Sequence, residues 1–592
     1  MEKQLLDSKT LVEDYLFNKD WRTKENSNAP RSFGSLNKYI IGEVSKNYWL
    51  NEVYNKEIKC AYLNGDFHIH DLGALTLYCV GYSLENILLM GVQGISNIPV
   101  SSPPKHFKSA LSQVVNLATV YQNEQAGAVA FNSVDTLLAP FIREDDLDKI
   151  QVKQELQNFI FALNSNSRMG AEPAFTNITL DITPSPDMLR KNIIIGGDYR
   201  LDVYGDFQKE MDLFNECFAE IMLEGDSKGQ PFSYPVLTYN IGKRFDWNNP
   251  KNDKIFEMAG KFGYPYFSNF INSEMDESDI RSMCCRLRLD LTELRRRNGG
   301  LFGAGDSTGS IGVVTLNMPR IGYISSNEIE FFNKLDIILN LAKDSLELKR
   351  VFLQNEVLDG GLIPAYSQYV GTIDNHFSTI GIIGFNEMCE NFLGKDILSI
   401  EGKEFSVKVG EYILNKIKEF QVETGHLYNY EASPSESTCY RLAKKDKELF
   451  PDIITQGNSV PYYTNSSHIP VSKVTTINDM MAHQEALQVQ FTGGCVNHIY
   501  LDGAISGEQA KHMVKTCLTN YRNPYISLSP VNRYCPEHGY IEERVENCPK
   551  CGMKLDIMQR VTGYLRKVEN FNDGKKEEFY DRKQFNGIID LK

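Results

Sequence analysis

The sequence predicts an α/β protein, on three observations. The chain has 592 residues, long enough for several domains or for one large α/β barrel with additions. Short apolar or alternating runs of strand length recur along it, separated by longer helical patterns. Its composition, 42% hydrophobic and 23% charged, is that of a globular chain able to bury a sizeable core.

Charge and termini narrow the class. A net charge of −15 argues against general nucleic-acid or membrane-surface binding, but leaves small anionic substrates open. Met1-Glu2-Lys3-Gln4 has no signal-peptide character, and no apolar run approaches the roughly eighteen residues of a membrane span. The twelve cysteines therefore point to thiol, metal or redox work rather than a disulfide framework. A soluble cytoplasmic protein is expected.

In chain order, residues 1–50 read as a polar arm packed on the main domain, broken near Asn26-Pro30. Short strand or strand-end segments are expected at Gly65-Leu72, where His68 and His70 share a face, and at Leu75-Val80, with Cys79 in an apolar run. A helical pattern runs from Pro104 to about Ile142, with Ala139-Pro140 as its stop, and another from Leu147 to Asn164. Phe175-Asp181 alternates like a half-buried strand, and Val236-Asn240 follows as a strand after the Gly225–Pro231 loop. Cys284-Cys285-Arg286, then the glycine-dense Gly299-Gly305, then a strand over Ile311-Arg320 could project a thiol into a cavity. Gly303-Ala304-Gly305 lacks the dinucleotide spacing. Two serine-rich segments, Ala432-Cys439 and Tyr462-Pro470, offer hydroxyls and amides for phosphate oxygens, or serve as caps and turns.

Cys535-x-x-His538 and Cys548-x-x-Cys551 are two ligand pairs of zinc-knuckle spacing. With all four positions filled by protein, the zinc is expected to be structural. Downstream, Gln559-Arg560-Val561-Thr562-Gly563-Tyr564-Leu565-Arg566 centres on a glycine. A planar Cα radical needs such a residue, since a side chain would oppose planarity and close approach.

With Cys284-Cys285-Arg286, Tyr463-Pro470, Gly263-Phe267, Phe491-Gly494, the zinc pairs and the Gly563 loop in this order, the chain from about His68 onward resembles the anaerobic (class III) ribonucleotide reductases. The resemblance implies a ten-stranded α/β barrel of two five-stranded halves with an internal finger loop, spanning about 51–530. A zinc-binding and glycyl-radical segment follows over 531–592. The arm 1–50 is too short for the ATP-cone of many relatives, so none is expected. A homodimer is implied, with a nucleotide effector site at its interface and a separate iron–sulfur activase that uses S-adenosylmethionine.

Carried over residue by residue, Gly563 stores the radical and Cys285, with Cys284 as rival, becomes the thiyl that takes the ribose 3′ hydrogen. Cys79 protonates the departing 2′ hydroxyl and Asn317 contacts substrate. Ser435, Glu436, Ser437, Thr438, Thr464, Asn465, Ser466 and Ser467 hold phosphates. The reductant is either formate or a thioredoxin-like protein; in the second case Cys439 is a candidate partner for Cys79, and otherwise it is structural. The runner-up is a glycyl-radical enzyme of the formate acetyltransferase type, which the zinc pairs and Thr464-Ser467 disfavour.

Overall fold

The computed structural model describes residues 7–17, 31–95, 99–165, 172–273 and 307–586. Cys284, Cys285 and the glycines of 299–305 lie outside the described residues.

Ten strands form the body: β1 (Cys79–Tyr82), β2 (Val129–Phe131), β3 (Thr176–Leu180), β4 (Val236–Ile241), β5 (Pro265–Asn269), β6 (Thr308–Asn317), β7 (His376–Ile383), β8 (Leu427–Glu431), β9 (Asn497–Leu501) and β10 (Tyr525–Pro530). β1 to β5 pair side by side in sequence order and all parallel. β6, β7 and β8 are likewise parallel neighbours, as are β9 and β10. The halves meet antiparallel at β1/β6, where Cys79 faces Ser310, and at β5/β10. The segment leading into β9 closes the ring: the Ala432 N–H donates to Gly493 and the Thr492 N–H to Tyr430, both at 2.9 Å. This is the ten-stranded barrel of two five-stranded halves that the motifs imply.

Each half is parallel because its strands are joined by helical crossovers, which cover the outer face. Alternate residues such as Ile178 and Leu180, or Leu237 and Tyr239, pack into that outer shell. The opposite set faces inward, where Val236, Tyr266 and Tyr525 form a separate small cluster. β3, expected to be half-buried, is accordingly buried on both faces.

Two further sequence expectations need correction. The helix expected over 104–142 is a helix Phe107–Gln122, strand β2, and a second helix Val134–Glu144 that carries Pro140 inside it. A three-residue apolar strand cannot be told from a helical segment by periodicity. The strand expected at Leu75-Val80 starts only at Cys79, because the preceding chain is displaced by Phe67–Ile69, which pairs antiparallel with the far end of β6. His68 and His70 do share a face beside that strand, their rings edge-to-face at 4.8 Å, with His70 bonded to the Thr315 hydroxyl at 2.8 Å.

The N-terminal helices Ser8–Leu16 and Phe33–Tyr48 lead into Trp49, whose ring is wholly buried against Phe352 and whose indole N–H donates to Ala74 at 2.9 Å. After β10, a four-stranded antiparallel sheet of β11 (Asn532–Cys535), β12 (Gly539–Ile541), β13 (Asp556–Arg560) and β14 (Leu565–Lys567) runs in the order β12-β11-β13-β14.

Candidate active site

β13 and β14 are a hairpin whose last pair is Arg560 opposite Leu565, leaving Val561–Tyr564 as its tip. The Val561 N–H donates to the Tyr564 carbonyl at 2.9 Å and tightens the turn. The tip enters the barrel mouth where β3 to β5 begin: the Tyr564 ring lies 6.2 Å from Phe175, and Gly563 meets Tyr266 of β5. Gly563 is held on both sides. Its N–H donates to Glu436 Oε1 at 2.9 Å; its carbonyl accepts from the Tyr266 hydroxyl at 2.5 Å and from Arg560 Nη1 at 3.3 Å.

The base of the hairpin is locked from behind. Arg582, fully buried, donates to the Arg560 and Val561 carbonyls at 2.9 and 2.8 Å and to Glu578 at 2.8 Å. Glu578 also pairs with buried Lys575, so one buried carboxylate serves both cations.

The two serine-rich segments come together at this mouth. Ser435 occupies the N-cap position of the helix Glu436–Leu449 without a side-chain capping bond, and its N–H donates to Asn465 Oδ1 at 3.1 Å. The hydroxyls of Ser435 and Ser466 are buried without a hydrogen-bond partner, and Ser466 sits at φ +48°. Orphaned hydroxyls beside a helix N-terminus fit phosphate oxygens, which would satisfy them. Ser437 and Thr438 lie buried in the same first turn. The remaining members have partners within the fold. Thr464 gives its N–H and hydroxyl to Glu387 at 3.0 and 2.6 Å, the Ser467 carbonyl accepts from Gln484 at 2.9 Å, and Glu436 is turned to Gly563.

Cys79 is buried, with the Ala128 N–H donating to its sulfur at 3.3 Å. Opposite it, Ser310 starts a polar line across the barrel: Ser310 to Thr379 at 2.9 Å, then Thr379 to Asn429 at 2.7 Å. Sequence reading missed Ser310, Thr379 and Asn429, since only strand register places them beside Cys79. Tyr266 lies in the Gly263-Phe267 stretch, where the sequence alone carries no role for it.

Asn317 is bonded within the fold. Its amide donates to the Gly65 carbonyl and to Asp446 at 2.8 and 2.9 Å, so its donors are spent on fixing the end of β6. Cys439 is not brought to Cys79. It packs in a cluster with Ile383, four residues beyond Thr379, about 13 Å along β7, whereas a disulfide needs Cα atoms within about 7 Å. Its thiol donates to Asn465 at 3.5 Å, and burial pushes it up to about 12. Burial thus keeps the thiol protonated.

Cys535, His538, Cys548 and Cys551 converge, all ligand atoms lying within 4.8 Å of one another. Cys535 is 3.6 Å from Cys551 and 3.5 Å from His538, and Cys548 is 3.6 Å from His538. A tetrahedral zinc with bonds of about 2.3 Å to sulfur and 2.0–2.1 Å to nitrogen has edges of roughly 3.8 and 3.5 Å, so the four residues fit that ion.

Comparisons place this architecture. The sequence profile of a family described as anaerobic ribonucleoside-triphosphate reductase matches residues 25–585. The enzyme of that name from Haemophilus influenzae is 23% identical over 91% of this chain and 80% of its own length. That from Enterobacteria phage T4 is 23% identical over 95% and 97%. The crystal structure of the anaerobic ribonucleotide reductase from Thermotoga maritima with dATP bound in the specificity site superposes with a TM-score of 0.75, at 21% identity, covering 95% of this chain and 94% of that one. The formate acetyltransferase alternative is correspondingly less supported. The chain belongs to the family of anaerobic ribonucleoside-triphosphate reductases.

Proposed function

We propose that this oxidoreductase works through a radical stored on Gly563 and passed to Cys285, with Cys79 as its auxiliary thiol. The observation that carries the reading is the insertion of the Gly563 hairpin into the barrel mouth beside the two serine-rich segments. Cys285 takes the unpaired electron by giving its S–H hydrogen atom to Gly563, then removes the 3′ hydrogen of the ribose. The 2′ hydroxyl leaves as water on a proton from Cys79. Formate supplies the two reducing electrons and leaves as carbon dioxide, so the net change is ribonucleotide, formate and a proton to deoxyribonucleotide, carbon dioxide and water. The separation of Cys79 from Cys439 supports formate over a dithiol.

Ser435, Ser437, Thr438 and Ser466 are the residues assigned to the substrate phosphates, and Asn465 holds their two segments in register. Zinc, when bound at Cys535, His538, Cys548 and Cys551, cross-links the sheet that carries the Gly563 hairpin. The arm 1–50, the barrel 51–530 and the segment 531–592 are taken as the functional units. An iron–sulfur activase using S-adenosylmethionine, a nucleotide effector and a homodimeric state complete the reading. The test is anaerobic turnover of CTP after activation, with formate or a dithiol offered separately. The dithiol alone giving dCTP would overturn the formate assignment.

A further inference from the structure

The geometry points to a polarising clamp on Gly563, made of Glu436, Tyr266 and Arg560, that stabilises the glycyl radical electronically. This rests on the reading of Gly563 as the radical site. A radical at a glycine Cα is stabilised when the amide nitrogen pushes electron density toward it and the carbonyl withdraws density from it. Both directions are reinforced here. The Gly563 N–H donates to a Glu436 carboxylate oxygen at 2.9 Å, which makes the nitrogen a better donor. Its carbonyl accepts from the Tyr266 hydroxyl at 2.5 Å and from the Arg560 guanidinium at 3.3 Å, which makes it a better acceptor.

The clamp is built to persist. Arg560 also donates to the Tyr266 oxygen, which sharpens that hydroxyl as a donor, and its guanidinium lies 4.2 Å above the tyrosine ring. Its second terminal nitrogen is fixed on the Gly263 and Tyr264 carbonyls. Arg560 and Tyr266 are 1% and 0% exposed and Glu436 8%, so water does not screen these bonds, and charged partners strengthen them. A carboxylate among residues expected to hold anionic phosphates is also explained: Glu436 serves the glycine. In activation, a carbon-centred radical derived from S-adenosylmethionine takes the Gly563 α-hydrogen atom, forming its own C–H bond and leaving the electron on Cα. The clamp lowers the energy of that product.

The test uses full-length zinc-loaded protein activated anaerobically and read by electron paramagnetic resonance, with natural and α-deuterated glycine. The variants are Glu436→Gln and Tyr266→Phe, which perturb opposite sides of the glycine by near-isosteric changes; far-ultraviolet circular dichroism checks their folding. The clamp predicts that each raises the spin density on Cα, seen as a larger α-proton splitting. Each should also shorten the radical lifetime against an added thiol by on the order of tenfold, since a charged or strong hydrogen bond becomes a weak or absent one. Unchanged splitting and lifetime in both folded variants would overturn the clamp. So would lower radical yield at unchanged splitting, which a purely positional role predicts. Should either variant fail to fold, the other alone decides. Wild-type protein with no doublet that collapses on deuteration would instead sink the Gly563 assignment itself.

Discussion

At the residue scale, the site is decided by what each polar side chain is already bonded to. Cys439 is committed to Asn465 and held protonated by burial, so Cys439→Ser, which keeps a donor, is expected to retain at least about half of formate-driven dCTP formation. Anaerobic single-point assays at saturating CTP check this, and a near-total loss would restore Cys439 to a redox role. His376 illustrates a different commitment. Burial, aided by Arg350, lowers it to about 3, so it is neutral in the fold while the unfolded chain titrates near 6.5. The unfolded state therefore binds more protons below that value. The stability His376 contributes is present above pH 6.5 and is lost as pH falls toward 3. Thermal melts at pH 7.5 and 5.0 should show a larger drop for wild type than for His376→Gln.

At the element scale, the buried carboxylate of Asp446 joins four pieces of chain. It accepts from Asn317 at the end of β6, from Arg320 in the next helix at 2.8 Å, and from Tyr463 at 2.7 Å, while itself sitting on the helix that begins at Glu436. Asp446→Asn leaves Arg320, 4% exposed, with Asp66 as its remaining carboxylate, and is expected to cost about 1–3 kcal/mol. Denaturant unfolding measures it, and a loss under ~1 kcal/mol would contradict this account. The zinc sheet makes a second prediction. Chelating the ion should expose the 536–552 turns to limited proteolysis and abolish radical formation while the barrel helices persist by circular dichroism, because those turns carry the ligands His538, Cys548 and Cys551 that the metal ties to Cys535.

At the scale of the whole molecule, legibility divides by the length of the interaction. Cys535-x-x-His538, Cys548-x-x-Cys551 and the Gly563 turn were legible because their partners are a few residues apart. The barrel followed from motif order. What the sequence hid is the long-range register: that Cys79 faces Ser310 across β1/β6, that Glu436 reaches Gly563 over 127 residues, and that β2 interrupts an apparent helix. None of these leaves a local periodic signal. The resemblance correctly named the fold; the directions of Asn317 toward Asp446 and of Glu436 toward Gly563 came only from the structure, because carry-over transfers a position and not the direction of a side chain.

The central claim, ribonucleotide reduction driven from Gly563, is tested most directly by anaerobic dCTP formation. Wild type and Gly563→Ala would be treated identically with activase, S-adenosylmethionine, CTP and formate. The account predicts product from wild type and none above background from the variant. Equal product from Gly563→Ala, or none from wild type carrying a confirmed glycyl radical, would contradict it.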